Sequence, residues 1–325
     1  MIFEDLPTTP TSEELLDKAF SRAARAGRAK SGVEAQESML QTASNVLSDN
    51  LQNVVTAWPD FDEVDPFYRE LADAVVGVDA ARTHLSEVTW ASRKTKSLGR
   101  EYIGRLPRED ADAAKKLRKQ AFARMGSVLR EIEDDLQFLN EARDDLKTFP
   151  DIRPDEPAIV VAGYPNVGKS SFVNEVTSAR NETAQYPFTT KGVRVGHVER
   201  ERIRYQLVDT PGLLDRPADE RNDIEAQAVS ALTHLADAVL FVVDASGTCG
   251  YPLDDQLALR ADVYETFVEG TEGEIGFVTV CNKSDLSTDV EADAYMSVET
   301  DEGVEDVLTA AIDATGYELE LPTRD

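Results

Sequence analysis

The sequence predicts an α/β P-loop domain, with a mostly parallel sheet and one antiparallel strand, preceded by an all-α helical bundle. Three observations carry this. Between residues 12 and 149 apolar residues recur at helical spacing, with only short breaks between runs. From residue 158 onward, short apolar runs alternate with helix-length segments, the pattern of a sheet with crossover helices. The first of those runs, Ala158-Ile159-Val160-Val161-Ala162, leads into Gly163-Tyr164-Pro165-Asn166-Val167-Gly168-Lys169-Ser170-Ser171. That is a buried strand, a glycine-punctuated turn and the start of a helix.

Taken in order, Thr11-Ser12-Glu13-Glu14 marks a helix start, and a second helix fits 33–57. The stretch from Trp58 to Tyr68 is a turn-rich connection whose aromatics anchor the helices around it. Helices at 69–88, 89–106 and 110–149 complete the bundle, the second ended by Pro107. Pro150, Pro154 and Pro157 stiffen the exit. The expected division is 1–150 as helical bundle, 151–157 as linker and 158–325 as the P-loop domain. Strands are expected at 158–163, 193–199, 203–209, 238–244, 275–281 and 295–297, the second and third forming a hairpin. Helices fit 169–177, 219–235, 254–268 and 303–315.

Charge is unevenly distributed. The chain of 325 residues carries 62 acidic and 34 basic groups, for a net charge of −28. Lysines number 11 and arginines 23. Scarce lysine among abundant carboxylates reads as a halophilic cytoplasm, where a screening length of about 3 Å in molar salt blunts self-repulsion. Against that background, residues 93–130 hold 12 basic groups and only 4 acidic ones. Such a basic segment is a candidate RNA-binding surface through Arg93, Lys94, Lys96, Arg100, Arg105, Lys115, Lys116, Arg118, Lys119 and Arg124. The alternative is a basic face that pairs with the acidic P-loop domain. Cys249 and Cys281 have no metal-ligand spacing and read as reduced thiols. No apolar run approaches a membrane span, and Met1-Ile2-Phe3-Glu4-Asp5 lacks a signal-peptide pattern, so a cytoplasmic protein with no membrane partner is expected.

The chemistry concentrates in four stretches. In the first, Gly163 and Gly168 allow the turn that aims successive backbone N–H groups, including those of Asn166 to Ser171, at a polyphosphate. Lys169 would reach the β- and γ-phosphates and the Ser170 hydroxyl would hold Mg²⁺. In the second, Asp209-Thr210-Pro211-Gly212 follows an apolar strand. Its aspartate is placed to bind Mg²⁺, often through water, and the Gly212 N–H to meet the γ-phosphate. The third, Pro187-Phe188-Thr189-Thr190-Lys191, lies between them, where a threonine can complete the Mg²⁺ shell only while the γ-phosphate is present. In the fourth, Asn282-Lys283-Ser284-Asp285, the Asp285 carboxylate can accept from guanine N1–H and its 2-amino group. Adenine offers neither donor pattern, so GTP and GDP are the expected ligands. Ser297 and Val298 are expected in the last base-contacting loop, by position only.

The order of motifs is similar to that of translation-factor-class GTPases, and several stretches resemble the nucleolar GTP-binding protein (Nog) family, including its archaeal, Obg-related members. These stretches include Lys119-Gln120-Ala121-Phe122-Ala123-Arg124-Met125, the 163–172 loop, Tyr186 to Lys191, Val195-Gly196-His197, Asp209 to Asp215, Glu220-Arg221-Asn222 and Cys249-Gly250-Tyr251. The resemblance favours Thr190 over Thr189 as the metal ligand. It implies a role in maturing the large ribosomal subunit, with the helical domain docked on ribosomal RNA of the pre-ribosomal particle and the protein monomeric off the ribosome. A departure occurs at Ser297-Val298, where such GTPases tend to show Ser-Ala.

Leu213 stands where many GTPases place a water-orienting glutamine. Slow intrinsic hydrolysis is therefore expected, stimulated by a partner or by an ion. Asn166 can hold K⁺ beside the phosphates, where an arginine finger would otherwise place charge, or can serve only to stabilise the loop. The three histidines, His84, His197 and His234, have no partner at suggestive spacing and read as structural.

Overall fold

The computed structural model describes residues 2–149, 152–177, 182–184, 193–216, 218–271 and 273–317. The chain forms two compact units. One comprises residues 2–63 and 76–147; the other comprises 64–75 and 148 onward.

The first unit holds α1 (Ser12–Arg28), α2 (Gly32–Ala57), α4 (Val78–Gly104), α5 (Ala111–Glu131) and α6 (Glu133–Leu146), while α3 (Pro66–Val76) clusters with the second. A capping box opens α1: Thr11 accepts from the Glu14 N–H while Glu14 accepts from the Thr11 N–H. The first unit's core is built from leucine and alanine faces, including Leu15, Leu40, Leu47, Leu51, Leu98 and Leu129. At Gly99 the helices approach so closely that a Cβ would lie 2.3 Å from Ser44 Oγ.

Two helix boundaries differ from expectation. The break expected near 88 falls at Gly77, whose φ of +71° no β-substituted residue adopts cheaply, and α4 then runs unbroken to Gly104. The helix expected over 110–149 divides at Ile132 (φ −101°, ψ 18°). Glu133, Asp134 and Asp135 follow at once, and three carboxylates suit the positive N-terminus of a new helix better than a helix interior.

The second unit is a seven-stranded sheet in the order β2-β3-β4-β1-β5-β6-β7. Its strands are β1 (Ala158–Ala162), β2 (Glu182–Ala184), β3 (Val193–Arg200), β4 (Ile203–Asp209), β5 (Ala238–Asp244), β6 (Gly276–Asn282) and β7 (Ala294–Tyr295). β1 pairs in parallel with β4 on one side and β5 on the other, while β3 runs antiparallel to both β2 and β4. The short β2 lies in a stretch expected to be loop. β1 and β5 are buried along their whole length, which explains the apolar runs at 158–162 and 238–243. The helices between strands are α7 (Lys169–Val176), α8 (Asp223–Leu235) and α9 (Leu253–Tyr264), α9 ending in a π turn over Glu265–Glu269, and α10 (Val304–Ala314) follows β7. The sheet order reverses at β1. Loops leaving the carboxyl ends of β1 and its neighbours therefore open a crevice there, the usual ligand position in such sheets.

Candidate nucleotide site

The phosphate loop leaves β1 at Gly163, with φ +135°, and enters α7 at Gly168, with φ +108°. Both glycines are also needed for space. A Cβ would lie 2.3 Å from Val242 O at Gly163 and 2.1 Å from Asn282 Nδ2 at Gly168. Asn166 takes a positive φ of +64°, a conformation that asparagine tolerates. Its Nδ2 donates to Cys249 O at 3.4 Å, leaving the amide oxygen as the atom able to meet a cation. Lys169, 6% exposed, curls over the loop and donates to Gly163 O (2.6 Å) and Tyr164 O (2.8 Å).

Ser170 Oγ donates to Asp209 Oδ2 at 2.5 Å, joining the start of α7 to the end of β4. Asp209 is fully buried, and its other oxygen has no hydrogen-bond partner among the described residues. Burial raises its pKa above the ordinary carboxylate value, opposed by the Ser170 hydrogen bond and by the charges of Lys169 and Arg194. A hydroxyl beside a carboxylate with one oxygen unused fits Mg²⁺, which takes one or two protein oxygens and completes its shell with waters and phosphate. Phe188, Thr189 and Thr190, the third part of the expected set, lie outside the described residues.

After Asp209 the chain turns through Gly212, whose N–H donates to Asp215 Oδ2 at 2.9 Å. Leu213 and Leu214 are fully buried, and the Gly163 N–H donates to Leu214 O at 3.1 Å, which packs this turn against the phosphate loop. Arg216 pairs with Glu225, 8% exposed, which also closes the capping box of Asn222 at the start of α8. Burial pushes the Arg221 guanidinium pKa down, and its Nη2 donates to Arg216 O at 3.1 Å.

The stretch expected to recognise the base begins with Asn282 at the tip of β6. Its Nδ2 donates to Val167 O at 2.8 Å, and its Oδ1 accepts from the Val298 N–H at 3.3 Å. One buried side chain thus binds the phosphate loop to the loop after β7. Ser297 is fully buried, and its Oγ accepts from the Thr300 N–H at 3.2 Å. Asp285 stands exposed in the turn that begins at Lys283.

Sequence reasoning missed Asp244. It is fully buried and accepts from Lys283 Nζ (2.7 Å), Cys249 N (2.8 Å), Ser246 N (2.9 Å), Ser246 Oγ (2.5 Å) and Thr248 Oγ1 (3.1 Å). Burial alone would raise its pKa, but the hydrogen bonds from Lys283, Ser246 and Cys249, with the Lys283 charge, hold it at about 2. The available signal was positional: Asp244 follows the apolar run 238–243 at a strand's end, and Asp209 likewise ends a strand.

In the first unit, nine of the ten expected RNA-contacting residues are exposed: Arg93, Lys94, Lys96, Arg100 and Arg105 on or beside α4, and Lys115, Lys116, Lys119 and Arg124 on α5. Arg105 pairs with Glu101 at 3.1 Å. Arg118 is turned inward, over the Phe122 ring at 5.3 Å and within 3.1 Å of Met39 Sδ. Of the histidines, His84 Nδ1 lies 2.6 Å from Asp135 and His234 Nε2 lies 3.0 Å from Glu70. Among the described residues no group of three metal-ligating side chains occurs, and no helix is long and apolar enough to cross a membrane.

Residues 3–153 match the NOG1 N-terminal helical domain, and residues 158–283 match the 50S ribosome-binding GTPase family. An uncharacterized protein of Methanocaldococcus jannaschii is 37% identical over 87% of this chain and 81% of its own length. The chain belongs to the nucleolar GTP-binding protein (Nog) family. Nucleolar GTP-binding protein 1 of Eremothecium gossypii is 30% identical over 98% of this chain, and that of Arabidopsis thaliana is 38% identical over 73%. Matching covers 49% and 35% of those two proteins, so this Nog chain spans about half or less of its eukaryotic relatives' length.

Proposed function

We propose that the chain is a cytoplasmic GTP-binding switch that hydrolyses GTP to GDP and phosphate during assembly of the large ribosomal subunit. In this reading its helical unit binds ribosomal RNA within the pre-ribosomal particle, and the protein is monomeric off the ribosome, with no membrane partner. The observation that carries the nucleotide part is Asn282, which fastens the guanine-recognition stretch directly to the phosphate loop. Guanine selectivity would come from Asp285, and the phosphates would be held by the backbone N–H groups of Asn166 to Ser171.

Lys169 would trade its two carbonyl partners for phosphate oxygens, a stronger charge-assisted contact. Ser170 and Asp209 would hold Mg²⁺, which supplies positive charge beside the phosphates; Thr190 would join them by family resemblance. Leu213 is buried and its side chain has no polar atom to orient an attacking water, which supports slow intrinsic hydrolysis. Stimulation would then come from the particle, or from K⁺ held by Asn166.

For the RNA part, the support is the exposed basic set on α4 and α5, together with Trp90, 38% exposed and three residues before Arg93. In molar salt phosphate contacts weaken, so an aromatic stacking face would matter as much as charge. The test is to measure affinity for ribosomal particles with GTP, a non-hydrolysable analogue, GDP and ATP present in turn. A switch gives different affinities with GTP and GDP and no response to ATP. Equal affinities in every state would mean a passive RNA-binding placeholder whose nucleotide site is structural.

A further inference from the structure

We infer that Asp215 sets how strongly the protein prefers a nucleoside triphosphate over the diphosphate, because it occupies the backbone N–H that a γ-phosphate requires. The inference rests on the GTP-binding reading above.

Gly212 N donates to Asp215 Oδ2 at 2.9 Å. This N–H belongs to the turn directly after Asp209, which is already joined to Ser170 of the phosphate loop. The turn is held close to that loop, since the Gly163 N–H donates to Leu214 O and the Leu213 N–H donates back to Thr210 O at 3.2 Å. Gly212 itself has φ +88°, and nothing lies within 4 Å of the place a Cβ would take. The glycine therefore serves backbone geometry rather than close packing: it sets where its own N–H points.

An amide has one proton to donate. While Asp215 accepts it, a γ-phosphate cannot receive it at full strength, so triphosphate binding must break this bond first. A diphosphate ends before the γ position and makes no such demand. The carboxylate also opposes the triphosphate by charge, since two anions would face one donor. Both effects fall on the triphosphate alone. Asp215 thus acts on nucleotide choice by positioning Gly212, and need not touch the nucleotide.

The test measures Kd for GDP and for a non-hydrolysable GTP analogue, with Mg²⁺, using the full chain as wild type, Asp215→Asn and Asp215→Ala. The Ala variant should bind the analogue about tenfold more tightly, the scale of one hydrogen bond to a charged acceptor, with GDP unchanged. Asp215→Asn keeps an accepting oxygen but loses the charge, so its analogue-to-GDP ratio should fall between the other two. An unchanged ratio in both variants, or a parallel loss of both nucleotides by the Asn variant, overturns the inference. If the Ala variant fails to fold, the Asn ratio alone decides. If the wild-type chain binds neither nucleotide, the functional reading falls first and takes this inference with it.

Discussion

Replacing Asp244 by Asn tests whether the Lys283 ion pair organises the base-recognition end. The substitution keeps the shape and one accepting oxygen but leaves the Lys283 ammonium, 24% exposed, without its anionic partner. A carboxyl held at about 2 rather than 3.8 contributes about 2.5 kcal/mol to folding at neutral pH, at roughly 1.4 kcal/mol per pK unit. The sign follows from the direction: a depressed folded-state pKa gives stability that is present above about pH 4 and lost as pH falls through about 2. Urea unfolding at fixed KCl should therefore show the variant weaker by about 2.5 kcal/mol at pH 7, with the gap narrowing between pH 4 and pH 2. GDP affinity should fall as well, because Lys283 lies in the stretch that would cover the base. A gap under about 0.5 kcal/mol at pH 7, the range of an ordinary surface substitution, would refute the reasoning. So would a gap that does not change with pH.

Asp209→Asn should raise the melting temperature of the nucleotide-free protein, since burial disfavours the ionised carboxyl there, while abolishing Mg²⁺-dependent nucleotide binding; calorimetry and a binding titration read the two effects separately. Substituting K⁺ for Na⁺ at constant ionic strength should speed phosphate release by the wild type, and Asn166→Ala should remove the difference; equal wild-type rates, with and without RNA, would end the ion's role. Changing Lys115, Lys116 and Lys119 together to Gln should weaken particle binding and reduce the slope of log affinity against log salt by about 2, while an unaltered slope would point to the basic face having another partner. Arg118 is left out of that set because its guanidinium lies over Phe122.

Legibility from sequence was highest where backbone geometry dictates residue type. Gly163 and Gly168 need positive φ and cannot carry a Cβ, so the phosphate loop had to be written with glycine at both ends. The central strands were equally plain, because β1 and β5 are buried along their length and are apolar up to Val243, while the short edge strand β2 was not expected. Helix ends were harder. Gly77 interrupts a continuous apolar period, so the periodicity favoured a helix through it, and the Ile132 break is made by a buried apolar residue that gives no signal of its own. Asp244 escaped notice for another reason: Ser246, Thr248 and Cys249 lie within five residues of it in one turn, but its charged partner Lys283 is 39 residues away and is brought to it only by the fold.

Glu225 shows how such an assembly can carry a signal away from its source. One of its oxygens accepts from the Asn222 N–H at the start of α8, and the other receives Arg216 from the turn that follows Asp209. Any rearrangement of that turn which withdraws Arg216 leaves a nearly buried carboxylate with only its capping partner. The first turn of α8 would then loosen, and its amide protons would exchange faster with solvent than those one turn further on. In that case this helix end acts as a readable gauge of what happens at the phosphates, positioned where another molecule could sense it without entering the nucleotide crevice.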